Sequence, residues 1–277
     1  MSSFLGEKYS RYWQDFEVYG EATEIYHFSF ISMEFRLIND GWRNAYENMA
    51  VDEAILMNNI PTLRLYKWKP SAISIGYFQS MEEEVNLEEC KRQGVDVVRR
   101  ITGGGAVYHD SDGEITYSVI CPQEMLPRKI MDIYSLICSS LAQGLAYIGL
   151  NARHEGINDI VVNGKKISGS ALTKKYGNVL QHGTLLLKVD IKKMFSLLKV
   201  GKEKISDKEI RSVEERVTSV EKEGGVMDEG KVKEALIKGF EEKMGLKFYE
   251  GELTEKERED AEKLREKYES REWNFKR

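Results

Sequence analysis

The sequence predicts an α+β domain, with mixed or antiparallel sheets flanked by helices, and three observations carry that prediction. Short alternating runs such as TLRLYKW (62–68), AISIGYF (72–78) and ITYSVIC (115–121) read as strands bounded by turn residues. They mix with helical stretches without the regular strand–helix alternation of a parallel sheet. Between DIVV and KKIS stands Asn163-Gly164, the dipeptide that supplies two positive φ angles to a type I′ hairpin.

Residues 1–32 are aromatic, rich in Ser and Glu and without a clear period, and a cleaner pattern begins at Met33 with the strand-like MEFRLI. Two readings of the leading segment stand side by side. Either the domain proper starts at Met33, or residues 1–32 are an extension that packs its Tyr, Trp and Phe side chains on the body. The resulting division is an N-terminal extension, 1–32, and a domain over 33–277.

A helix is expected in NDGWRNAYENMAVDEAILM (39–57), capped by Asn39 or Asp40, with Tyr46, Met49, Ala50 and Ala54 on one face. Two strands, 62–68 and 72–78, follow around a turn at Lys69-Pro70. A helix from Met81 to Arg92 leads to the strand VDVVRR, and AVYHD and ITYSVIC are two more strands. Residues 130–150 form a buried helix, 179–190 another strand, and Lys231–Met244 a helix followed by the strand LKFYE. Thr254 and Glu257 have capping-box spacing and open the last helix, which runs to Trp273 with most of its surface solvated.

A length of 277 residues suits one large domain with a small appendage. With 31% charged residues and a mean hydropathy of −0.47, the composition is that of a soluble globular protein. The net charge of −5 offers no broad field for a polyphosphate backbone, so nucleic acid is excluded as the main partner. The longest uncharged stretch, Ile133–Asn151, is interrupted by Ser, Gln and Gly and does not read as a membrane span. No secretory leader is legible at the N-terminus, so a cytoplasmic location is expected. Cys90, Cys121 and Cys138 match neither a disulfide framework nor a zinc pattern.

The strongest motif is RRITGGGAVYHD (99–110). Gly103, Gly104 and Gly105 carry no Cβ, so their backbone N–H groups can approach a carboxylate or phosphate, and Arg99 or Arg100 is available for a charge-assisted contact. Alone, such a triplet is more often only a flexible turn. Support comes from the hairpin. Asn158-Asp159 precedes its first strand, and Lys166 is followed by Ile-Ser-Gly-Ser-Ala, where Ser168, Gly169 and Ala171 leave room for a ligand beside the ammonium. Spacing alone leaves open that Lys165 and Lys166 are solvated surface residues.

Taken together, RRITGGGAVYHD, NDIVVNGKKISGSA, QHGTLLL and RSVEERVTSV resemble lipoate-protein ligases, in that order, over about residues 33–274. The resemblance implies the fold shared with biotin protein ligases and octanoyl transferases, with an acyl chain held in a tunnel. It assigns the essential lysine to Lys166, the arginine near the ligand's carboxyl end to Arg100, beside Thr102, and the loop around the carboxyl to Gly103–Gly105. Asn158 and Asp159 fall near the nucleotide, Asp159 also near Mg²⁺, and His182-Gly183 lines the site. Tyr77, Val107, Tyr108 and Leu186 are candidates for the tunnel wall.

The implied reaction is ATP-dependent activation of lipoate to lipoyl-AMP, followed by transfer to a lysine of a lipoyl domain. Expected acceptors are the lipoyl domains of 2-oxoacid dehydrogenases and the glycine-cleavage H protein. The runner-up is an octanoyl or lipoyl transferase with a thioester donor, which would need an activated cysteine; none stands where the family would place one. Many single-chain ligases continue into a small accessory domain, so a separately encoded accessory protein is a further expectation.

Overall fold

The computed structural model describes residues 33–199 and 212–276, so both readings of residues 1–32 lie outside the described residues. The first half contains strand β1 (Met33–Arg43), helix α1 (Ala45–Asn58), β2 (Thr62–Trp68), β3 (Ala72–Ile75), α2 (Met81–Glu84), α3 (Leu87–Gln93), β4 (Asp96–Arg99), β5 (Val107–His109), β6 (Glu114–Pro122) and α4 (Ile130–Tyr147). The second half contains β7 (Ala152–Glu155), β8 (Asp159–Val162), β9 (Lys165–Lys175), β10 (Asn178–Leu186), α5 (Ile191–Leu197), α6 (Glu229–Met244), β11 (Leu246–Glu250), α7 (Glu255–Glu269) and α8 (Arg271–Asn274). Eight strands form one mixed sheet in the order β11-β1-β2-β6-β10-β9-β8-β7, and three form a second, β4-β3-β5. The α+β reading holds.

β2 is buried at every position. Side chains alternate across a strand, and both faces of the large sheet are covered. Leu63 and Leu65 enter a core shared with α4 and α6. Tyr66 and Trp68 enter a second core with Ala45 and Met49 of α1 and Tyr268 of α7. An amphipathic stripe on a helix needs such a partner face.

Four boundaries differ from expectation, each for a local reason. The helix expected from Asn39 begins at Ala45, because residues up to Arg43 stay paired in parallel with β2. Its cap is Asn44, whose Oδ1 accepts from Glu47 N at 2.9 Å while the Glu47 carboxylate accepts from Asn44 N at 3.3 Å. The helix expected over 81–92 is two, broken where Val85 bridges to Leu198 and Asn86 caps α3. Strands 62–68 and 72–75 follow one another but belong to different sheets, and Gly76–Phe78 is a turn. The hairpin at Asn163-Gly164 is present, with φ of 52° and 76°. The last helix, expected to run to Trp273, ends at Glu269 because Ser270 caps the separate α8; most of its surface is solvated as expected, while Glu257 and Tyr268 are fully buried. Among the described residues no helix is long and apolar enough to cross a membrane.

Candidate active site

Residues of both sheets line a cavity of about 340 Å³, within the range of small-molecule sites. Its floor is made by Trp68, Ser74, His109, Glu114 and Thr116, each buried to 5% exposure or less. Its rim carries Lys166, with a side chain 42% exposed, and Lys188 and Asp190 beyond the end of β10. Val107, Tyr108 and Leu186 line it as expected, whereas Tyr77 lies outside, edge-on to Trp273 at 5.9 Å.

The backbone of Lys166 lies between Val161 of β8 and the segment 216–218. Its N–H donates to Arg216 O and its carbonyl accepts from Thr218 N, both at 2.8 Å. RSVEERVTSV thus reaches the site by laying Val217 parallel to the lysine. Lys166 Nζ is 2.6 Å from Asp159 Oδ1. The lysine lies over Gly169, where a Cβ would stand 2.7 Å from Lys166 Cε and 2.8 Å from Nζ. Glycine here is what permits the side chain its course. Asn158 donates its amide to Ser170 O and accepts from Ser170 N with its own carbonyl, which ties the entry of β8 to β9.

The glycine loop is organised from inside. Arg100, 5% exposed, donates Nε to Thr102 Oγ1, Nη1 to Ser74 O and Oγ, and Nη2 to Gly103 O and Gly105 O, at 2.7–3.1 Å. All its N–H groups are engaged with the chain itself. With no carboxylate beside it, burial lowers its pKa to about 10. Arg100, Gly104 and Gly105 line the cavity, while Thr102 and Gly103 stand behind that lining. Arg99 likewise turns inward, donating to carbonyls of Gly76, Tyr77, Gln79, Trp273, Asn274 and Lys276. Gly76 is required where the turn crosses the loop, since a Cβ there would stand 1.9 Å from Gly104 O.

His182 and Gly183 line the wall. His182 Nε2 is 2.7 Å from Thr102 Oγ1 and Nδ1 is 3.3 Å from Asp52 Oδ2. Burial, aided by nearby Arg100 and His109, holds the His182 pKa below its usual value against the pull of Asp52. It is a neutral, positioned ring. Asp52 is opposed by its own burial but held below the carboxylate range by Arg64, His182 and Ser118. On the floor, His109 stacks on Trp68 at 3.9 Å, with Ser74 Oγ 2.8 Å from Nε2 and Glu114 Oε1 2.7 Å from Nδ1. Trp68, Ser74, Glu114, Thr116 and Asp52 were not singled out by sequence; each occupies an ordinary strand or helix position with no motif around it.

Asp159, expected near Mg²⁺, stands beside Lys166. Its carboxylate is engaged by that lysine, and among the described residues no three His, Cys, Asp or Glu side chains cluster to hold an ion. The three cysteines are at most 2% exposed and none lines the cavity.

A family model described as lipoyl protein ligase A/B catalytic domain matches residues 44–241. A curated relative from Kyrpidia tusciae, named octanoyltransferase LipM, is 37% identical over 273 residues, covering 88% of this chain and 99% of the relative. Other curated relatives at 32–37% identity carry the same name. Among solved structures, a bi-partite lipoate protein ligase from Thermoplasma acidophilum, described with its E2 lipoyl domain, superposes with a TM-score of 0.81 at 35% identity, covering 88% of this chain and 96% of its own. A lipoate-protein ligase A bound with ATP gives 0.77 at 34% identity, covering 88% and 99%. These findings correct one expectation. The name shared by the curated relatives is that of an acyl transferase, which overturns ATP-dependent activation of lipoate as the reading of this chain. The physical difference is the donor: a thioester is already activated and needs no adenylate.

Proposed function

Because the chain belongs to the lipoyl protein ligase A/B catalytic-domain family, we propose that it transfers an octanoyl group from a thioester donor to the ε-amine of a lysine on a lipoyl domain. The observation that carries this reading is the near full-length similarity to the octanoyltransferases. The cavity supports it. A pocket with a buried floor and a charged rim suits a medium-length acyl chain lying inward, its carbonyl near Lys166 and within reach of an acceptor side chain. Lys166 donates to the carbonyl oxygen as negative charge grows there, Asp159 holds the ammonium in place, and the glycine loop offers N–H groups free of side chains. Arg100 shapes that loop by donating to Gly103 O and Gly105 O. Lipoyl domains of 2-oxoacid dehydrogenases fit as acceptors, in keeping with the Thermoplasma ligase described with its E2 lipoyl domain. An accessory protein for adenylation has no step to serve in this scheme.

The test is octanoylation of a purified lipoyl domain by the chain and an octanoyl-carrier thioester in nucleotide-free buffer, read by intact mass. Modification without nucleotide is expected. Modification only when ATP and free acid replace the thioester would overturn the proposal.

A further inference from the structure

Thioester transferases commonly pass the acyl group through a covalent intermediate on an activated thiol, which needs access and a lowered pKa. The sequence has three cysteines, and all three are described by the structure. Cys90 is on α3, 2% exposed, against Leu197 O. Cys121 is on β6 in the core beside α4, 1% exposed. Cys138, on α4, comes nearest the site, its thiol 3.8 Å from Ser170 Oγ and from Gln181 Nε2, but it is fully buried behind the wall that Ser170 lines. Burial pushes the Cys90 and Cys138 thiols up to about 11, Glu89 adding to the first and Asp159 to the second, and it pushes Cys121 further up. None is placed or activated as a nucleophile.

Among the hydroxyls lining the cavity, Ser74 has a histidine beside it. Ser74 Oγ is 2.8 Å from His109 Nε2, which is linked through Nδ1 to Glu114. Yet Ser74 is 2% exposed on the floor and already accepts from Arg100 Nη1 at 3.1 Å. An ester there would set the carbonyl at the closed end, away from the rim that an acceptor lysine reaches.

We infer that, granted the transferase reading above, this chain moves its acyl group directly from thioester to acceptor lysine, with no acyl-enzyme. Donor and acceptor are held together at the rim. The acceptor's neutral ε-amine attacks the thioester carbonyl carbon, the C–N bond forms, and the C–S bond breaks. The proton lost by the amine leaves on the departing sulfur. Lys166 stabilises the oxyanion and does not itself become acylated, because its ammonium is paired with Asp159 at 2.6 Å.

Three measurements bear on this. Wild-type protein incubated with octanoyl thioester alone is expected to show no mass increase of one octanoyl group after removal of free donor. Initial rates with both substrates varied are expected to give intersecting double-reciprocal lines; parallel lines are the mark of ping-pong transfer. Cys90→Ser, Cys121→Ser and Cys138→Ser, singly, are expected to transfer within about twofold of wild type, with Cys138→Ala as a second replacement should the serine disturb the core. An octanoyl adduct mapped to any residue that the lipoyl domain then discharges, or loss of activity in a cysteine variant that keeps its unfolding temperature, would overturn the direct route. A wild-type chain that transfers nothing from thioester defeats the transferase reading first and this route with it.

Discussion

Lys166 illustrates how much a single residue depends on what lies beneath it. Its ammonium is placed by Asp159, its backbone by Arg216 and Thr218, and its path by the missing Cβ of Gly169. Lys166→Ala removes a half-exposed side chain, so unfolding free energy should change by no more than about 0.5 kcal/mol. Transfer to the lipoyl domain should fall by about 100-fold or more, the scale of losing one oxyanion donor. Gly169→Ala is expected to keep the fold, because the atoms it meets belong to the end of a flexible side chain, and to lower transfer by displacing the ammonium. Rates from the nucleotide-free assay, beside melting curves of both variants, check the pair. Full activity in Lys166→Ala would remove the lysine from the reaction.

At the scale of elements, the last helix is joined to the first strand by one buried ion pair. Arg36 of β1 donates Nη1 and Nη2 to the two oxygens of Glu257 at 2.7 and 2.6 Å, with side chains 3% and 0% exposed. The same carboxylate closes the capping box of α7 by accepting from Thr254 N at 2.7 Å. Sequence spacing identified the cap and assigned the helix a solvated surface; it held no sign that the capping carboxylate also meets an arginine 221 positions away. Removing one member leaves the other charged and unpaired in the core. Glu257→Ala should therefore cost about 3 to 5 kcal/mol, measured by denaturant titration. A loss under about 1 kcal/mol, the value of an exposed pair, would show that the pair is not buried in solution.

Over the whole molecule, Glu53 joins three separate parts. From α1 it accepts Lys175 Nζ at the end of β9 at 2.9 Å, Tyr176 OH in the following turn at 3.1 Å, and Tyr268 OH and Lys267 Nζ of α7, the former at 2.7 Å. Burial alone would raise its pKa, but Lys267, Tyr268 and Lys175 outweigh it and hold the group at about 2 instead of 4.5. Lys267 is itself lowered, by burial and by Lys175 and Lys276, so the stabilisation belongs to the four donors jointly. A folded-state pKa below the unfolded one gives stability that is full above about pH 4.5 and lost as pH falls toward 2. Its size at neutral pH is roughly 3 kcal/mol, at about 1.36 kcal/mol per pH unit. Glu53→Gln should thus be less stable at pH 7 and lose less between pH 5 and pH 3. Parallel pH–stability curves for variant and wild type would rule the link out.

Much of the architecture was legible in the chain itself. Alternation marked most strands, Asn163-Gly164 the hairpin, and TGGG with KKISGSA the two segments that meet at the cavity, because turn chemistry and strand period are local properties. Sequence likewise determined that only three thiols exist and where they fall. What only the tertiary structure decided is direction and company. Arg99 and Arg100 donate to carbonyls of their own chain, and Trp68, Ser74 and Glu114 close the floor although they come from strands of two different sheets. Cys138 lies one side chain behind the wall. Side-chain direction and burial are set by packing between segments far apart in the chain, and no local pattern encodes them.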